Sequence, residues 1–187
     1  MAIRENDVIN VKEVRQNAAQ SVECGAVTEN YPLDIEVAVK LLNEALASEI
    51  LCVLRYRHHQ ITAKGINSPQ VAAEFKEHAE DESEHMMMIA ERIDQLGGEP
   101  DFNPDTISHR SSTQFGKTSD SLFDMLADDL VAERIAIDVY RKLVNWFGPG
   151  DPTTRRMLEH ILEDEEDHAN DLADLLARVE PRKSLNS

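Results

Sequence analysis

Asp81-Glu82-Ser83-Glu84-His85 and Asp164-Glu165-Glu166-Asp167-His168 carry one pattern, Asp-Glu-x-x-His, at two places in the same chain. Each copy lies inside a long stretch of helical periodicity. Residues three apart share a helix face, so Glu82 stands beside His85 and Glu165 beside His168. A carboxylate and an imidazole at that spacing can close on one metal ion. Two such pairs can hold two ions between them. A single copy in an acidic chain would ordinarily mark a solvated face, but the flanks argue otherwise. Phe75, Ala79, Glu82, His85 and Ile89 form one stripe, and Leu158, Leu162, Glu165, His168 and Leu172 form the other. Charged groups on a core-facing stripe are costly unless they are paired or bind metal.

Two further helical stretches each place one acid in an apolar stripe. Glu49 lies among Leu42, Leu46, Val53 and Tyr56, and Glu133 among Leu122, Leu126, Ala136 and Tyr140. Four Glu and two His facing inward are the set with which four-helix bundles hold two iron or manganese ions.

Start and stop signals delimit the helices. The first long helix is predicted from about Asp34 to Lys64, after Tyr31-Pro32 and ended by Gly65. The second is expected to start at Ser68-Pro69, an N-cap followed by proline at the first helical position, and to stop at Gly97-Gly98. Residues 98–119 are rich in Gly, Pro, Ser, Asn and Thr, show no sustained period and read as one long connection. The third helix is predicted from about Ser119-Asp120 to Phe147, and the fourth from Asp151-Pro152 to a stop before Pro181. Val8 to Val22 is expected to form a short helix. The division is an N-terminal arm (1–33), an all-α four-helix bundle (34–180) and a polar tail (181–187).

Register supports the pairing of helices. Glu49 lies about fifteen residues before the first helix ends, and Glu82 and His85 lie thirteen to sixteen after the second begins. At ~1.5 Å per residue, antiparallel helices joined by a short turn bring those side chains to one level. The second half repeats the arithmetic with Glu133, Glu165 and His168: the spacings are 33 from Glu49 to Glu82 and 32 from Glu133 to Glu165. Two helical hairpins related by an approximate two-fold axis follow. If the second and third helices run parallel, their connection must span ~40 Å, which twenty-odd extended residues achieve.

Composition narrows the function. A chain of 187 residues suits one domain, and no apolar run approaches the ~20 residues that a membrane helix needs. The first residues lack the apolar stretch of a signal peptide, so a cytoplasmic location is expected. Cys24 and Cys52 are the only cysteines, and they form no Cys-x-x-Cys pair, which argues against a disulfide framework or a zinc site. The net charge of −17 argues against DNA binding, although Arg4, Lys12, Arg15, Arg182 and Lys183 cluster at the ends. His58-His59, near the end of the first helix, are expected at the surface, outside the site.

On Glu49, Asp81-Glu82-x-x-His85, Glu133 and Asp164-Glu165-x-x-His168, with Tyr56 in register, the chain resembles the ferritin-like superfamily. Within it the likeness is to bacterioferritins and bacterioferritin-like Dps-type mini-ferritins. The resemblance covers about residues 34–180. It implies a ferritin-like bundle with a long crossover between its second and third helices. It also implies two iron ions per subunit, with manganese as the other candidate. Glu49 and His85 would be terminal ligands of one ion, Glu133 and His168 of the other, with Glu82 and Glu165 bridging. Asp81 and Asp164 would accept hydrogen bonds from the ligating imidazoles. Tyr56 would pack beside the metals, with a redox role as its sharper reading.

Three departures qualify the likeness. Bacterioferritins hold haem through a Met directly after the Glu of the first motif, where this chain has Ser83, so no haem is expected; Met86, Met87 and Met88 read as packing. A fifth helix has no room after Pro181, which favours twelve subunits over twenty-four in the expected homo-oligomer. The cysteine pair of some relatives is missing beside the ligands, and Ile135 follows Glu133 by two residues. The function implied is oxidation of Fe(II) by O2 or H2O2 with storage of Fe(III) in a protein shell. The alternative is a non-storage di-metal redox enzyme of manganese catalase-like or oxygenase-like type.

Overall fold

The computed structural model describes residues 9–20, 22–116 and 121–179. Among them lie α1 (Val11–Ala18), α2 (Ile35–Thr62), α3 (Ser68–Gln95), α4 (Pro104–Arg110), α5 (Leu122–Phe147) and α6 (Pro152–Arg178), with a single 3-10 turn at Val22–Cys24 and no strand. The long helices α2, α3, α5 and α6 form the bundle. Helix α2 packs along α3 and α5 along α6, and the two hairpins meet through α3–α6 and α2–α5 contacts.

Local chemistry sets the ends. Asp34, Ser121 and Asp151 each accept a hydrogen bond from the backbone amide three residues on, satisfying a donor that the first turn leaves open. The start of α3 differs from expectation: Asn67 is the cap residue, without a side-chain cap bond, and Ser68 is already helical. The Ser68 hydroxyl instead donates to the carbonyl of Gly65 at 2.8 Å. At the other end of α3, Gly98 N–H reaches the Ile93 carbonyl and Gly97 N–H that of Asp94. This paired closure places Gly97 at φ +79°, where a side chain would be strained. Gly98 meets Val39 so closely that an added Cβ would stand 2.6 Å from its methyls.

The crossover from α3 to α5 is the main departure from the sequence reading. Residues 98–119 are not an unbroken connection but include α4, whose start Asn103 caps and whose Ile107 packs on Ala47 and Leu51. The segment tracks along α2 from one end towards the other. Asn43 receives the Asp101 amide at 2.7 Å, Ser48 and Ser112 share a hydroxyl bond of 3.0 Å, and Arg55 donates to the Gln114 carbonyl at 2.9 Å. Leu122 then lies against Gly65, where α2 and α3 join. Helices α3 and α5 therefore start at the same end of the bundle and run parallel.

Helix α1 is shorter than the expected Val8–Val22 and buries no side chain. Beyond it, Val27, Tyr31 and Leu33 pack on the bundle. Residues 181–187, the basic residues Arg4, Arg182 and Lys183, and the expected start of the third helix at Ser119-Asp120 lie outside the described residues.

The core is divided. One apolar cluster contains Leu42, Leu46, Ile89, Ile93, Phe147 and Leu158; the other contains Val71, Phe75, Ala79, Leu126 and Leu172. On each long helix the glutamate of interest falls between these clusters, so the candidate ligands form a polar layer with apolar layers on both sides. Each fully buried Leu, Ile or Phe contributes about 1.5–3 kcal/mol, which offsets the cost of ionisable groups at mid-bundle.

Candidate metal centre

The structure brings all six sequence-predicted ligands together. Glu49, Glu82, His85 and Glu165 form one group, and Glu82, Glu133, Glu165 and His168 another; within each, the ligand atoms lie within 4.8 Å of one another. Glu82 and Glu165 belong to both groups. All six are buried. Nδ1 of His85 stands 3.6 Å from Glu49, 3.5 Å from Glu82 and 3.4 Å from Glu165. Nδ1 of His168 stands 4.0 Å from Glu82 and 3.9 Å from Glu165.

The atoms left without a hydrogen bond test whether cations fit. They include one oxygen of Glu49, one of Glu133, both oxygens of Glu82 and Glu165, and Nδ1 of His85 and His168. An orphaned buried acceptor costs about 1–3 kcal/mol, and more when charged. Six residues here orphan eight atoms, all of metal-binding type. The donor set suits two ions, each with a terminal carboxylate, one imidazole and shared carboxylates.

Outer partners hold this set in place, and each crosses between hairpins. The Tyr56 hydroxyl donates to the other oxygen of Glu133, and that of Tyr140 to the other oxygen of Glu49. Asp164 lies 3.1 Å from Nε2 of His85, and Asp81 lies 3.2 Å from Nε2 of His168. A proton on Nε2 leaves the Nδ1 lone pair facing the cluster.

The electrostatics express crowding of like charge. Burial, together with the charges of Glu165 and Glu49, pushes the Glu82 carboxyl well above the ordinary carboxylate range. Burial and Glu165 do the same to Glu133. Burial also works to raise Glu49, but its close contacts with Glu82 and His85 and the Tyr140 hydrogen bond outweigh it and hold that group low. Burial disfavours charge on His85, yet its contacts with Glu165, Glu49 and Glu82 prevail and raise its pKa. Positive charge is favoured at the centre of the cluster.

Sequence reasoning missed two features. Tyr140 stands seven residues after Glu133, as Tyr56 stands seven after Glu49, so the repeat itself carried the signal. His59 is not at the surface. It is buried and bonds Asp129 at 2.8 Å, while Arg55 pairs with the same carboxylate at 2.9 Å. Cys52 is buried beside Arg55, and Cys24 is exposed. Ser83 is partly buried one position after Glu82, and Met86 and Met88 pack on the core.

The chain is similar to known proteins in both sequence and fold. A nutrient stress-induced DNA-binding protein of Synechococcus is 32% identical over 140 residues, covering 73% of this chain and 78% of the relative. A bacterioferritin of Desulfovibrio desulfuricans is 29% identical over 131 residues, covering 70% and 69%. The fold is similar to that of a bacterioferritin-related dodecameric thioferritin from Bacteroides fragilis, with a TM-score of 0.76 and 33% identity over 78% of this chain and 88% of that one. The Ferritin-like domain profile matches residues 39–181, and the chain belongs to the ferritin-like family.

Proposed function

We propose that this chain is the subunit of an iron-storage protein and oxidises Fe(II) at a dinuclear site made by Glu49, Glu82, His85, Glu133, Glu165 and His168. The observation that carries this reading is the set of eight orphaned ligand atoms that those six residues bury together at mid-bundle. Two irons per chain satisfy them. Glu49 and His85 serve one, Glu133 and His168 the other, and Glu82 and Glu165 bridge. Carboxylate-rich ligation with two imidazoles suits iron, and manganese by the same rule.

Iron is the substrate here, and the two bound ions supply the redox chemistry. Two Fe(II) give up two electrons, which with two protons reduce one H2O2 to two waters or one O2 to H2O2. The protein's part is positioning. Tyr56 and Tyr140 each hold one carboxylate oxygen of a terminal glutamate, so that the other faces the cluster. Asp81 and Asp164 orient the imidazoles through Nε2. Ser83 offers no thioether, so the site carries no haem ligand at that position.

Storage requires a shell, and the dodecameric relative at 33% identity supports twelve subunits rather than twenty-four. Residues 1–33 act as an arm for contacts between subunits, residues 34–180 as the ferroxidase bundle and residues 181–187 as a polar tail. No helix among the described residues is long and apolar enough to cross a membrane. With the charge of −17, this fits a cytoplasmic protein that attracts cations and does not bind DNA, whatever the names of its relatives.

Stopped-flow oxidation of Fe(II) tests the site. Glu82→Ala should abolish the fast phase with the helices intact by circular dichroism. Fast oxidation at the wild-type rate in that variant overturns the assignment. Light scattering tests the shell: a mass close to twelve times that of the 21.1 kDa chain is expected, and one or two subunits would refute storage.

A further inference from the structure

A separate group of metal-ligating side chains lies outside the six. Glu74 and His78 occupy successive turns of α3, and Asp171 reaches them from α6; one ligand atom of each lies within 4.8 Å of the other two. They line an open cleft of about 220 Å³ between these helices, together with Glu77, Asp167 and the His168 ring. No Lys or Arg is among the residues that line it.

His78 carries the argument. Only 2% of it is exposed, yet neither ring nitrogen has a hydrogen-bond partner among the described residues. Its Nε2 stands 3.5 Å from Glu74, close enough to share a cation but outside hydrogen-bonding geometry. The ring cannot turn freely. It stacks on His168 at 4.1 Å between centroids, and Tyr56 meets it edge-on at 5.2 Å. Leaving a buried polar atom unsatisfied costs about 1–3 kcal/mol. A histidine kept only for packing would settle that cost on one of the acids beside it. Burial, with the charges of Asp171 and Glu77, also lifts the Glu74 carboxyl above its ordinary range. A cation in the cleft relieves both strains.

We propose that Glu74, His78 and Asp171 form a third metal site in each chain, mononuclear and specific for a divalent first-row transition cation. One imidazole and two carboxylates leave the remaining positions to water. Asp171 is exposed and Glu74 half-buried, so this site binds more weakly and exchanges faster than the buried pair. It shares no residue with the dinuclear centre and rests on that reading only in being counted third. His78 packs directly on His168, so a cation held here stands one imidazole away from the site where iron is oxidised.

Zn(II), which is redox-inert, is the probe. Equilibrium dialysis of the intact protein should show Glu74→Gln/Asp171→Asn binding one zinc ion fewer per chain than wild type. Both of these residues reach solvent, so the variant keeps its fold, and circular dichroism checks this. Anomalous diffraction at the zinc edge should place a peak about 2.0–2.1 Å from a nitrogen of His78. A Glu82→Ala/Glu165→Ala variant should lose the dinuclear peaks and keep this one, which separates failure of this site from failure of the other. Equal zinc content in wild type and Glu74→Gln/Asp171→Asn, or no peak at His78, overturns the proposal.

Discussion

Tyr140 on one hairpin donates its hydroxyl hydrogen bond to Glu49 on the other, and Tyr56 returns the arrangement to Glu133. Each glutamate is thereby held by the opposite half of the chain, so the register between hairpins is tied to the geometry of the proposed ligands. Tyr140→Phe keeps the packing and removes the donor, leaving a second Glu49 oxygen orphaned. Removing partners that orient metal ligands typically weakens metal affinity about 10–100-fold. Tyr140→Phe and Tyr56→Phe should each lose Zn(II) affinity in that range, by titration calorimetry. Wild-type affinity in both variants would show that the tyrosines only fill space.

The acid cluster predicts how stability of the metal-free protein depends on pH. Glu82 and Glu133 are pushed above the ordinary 4.5 by burial and by neighbouring carboxylates. A raised folded-state value stabilises the fold while the group is protonated. That contribution is complete below about pH 4.5 and is lost as pH rises through the folded-state value. Glu82→Gln, which cannot ionise, should raise stability at neutral pH by about 1–3 kcal/mol and flatten the loss. Thermal midpoints across pH measure this. Superimposable profiles for wild type and variant would sink it.

The four long helices and the ligand repeat were legible because periodicity and capping are local. Leu42, Leu46, Glu49 and Tyr56 show their common face in the sequence, and the structure buries all four. What escaped was either short or non-local. Helix α4 spans seven residues and buries only Ile107, too little to set a period. His59 read as a surface residue because its partner Asp129 lies 70 positions away, where nothing nearby marks it as a buried acid. Tyr140 stood in an apolar stripe, where an aromatic ring is ordinarily core, and only its spacing from Glu133 set it apart. Asn67 displaced Ser68 as the cap residue because the serine hydroxyl turns back to Gly65.

The Arg55–Asp129–His59 group predicts a large local cost. All three side chains are buried, and Arg55 also donates to the Gln114 carbonyl, so the group joins α2 and α5 to the crossover. Asp129→Ala would leave the guanidinium buried and uncompensated, at a cost of about 3–5 kcal/mol. Adding Arg55→Met removes the stranded charge and should recover part of the loss. Chemical unfolding of the single and double variants checks both steps. A double variant no more stable than Asp129→Ala would contradict the account.

Asp151 caps α6 and binds a second element at the same time. It accepts the Thr154 amide at 2.9 Å, the Tyr31 hydroxyl at 2.8 Å and the Arg92 guanidinium at 2.9 Å, with Arg92 also donating to the Thr154 hydroxyl. Burial works to raise its carboxyl pKa, but the bonds from Thr154, Arg92 and Tyr31 outweigh it and hold the value below the ordinary 3.8. A lowered folded-state value gives stability that is present above about pH 3.8 and lost as pH falls through the folded-state value. Asp151→Asn keeps the shape but gives up the charge opposite Arg92. It should lower stability at pH 7 by about 3 kcal/mol and reduce the further loss in acid. Unfolding midpoints at neutral pH and below pH 4 measure the two effects. A variant that matches wild type at pH 7 would mean that the charge of Asp151 opposite Arg92 does not hold α3 to α6.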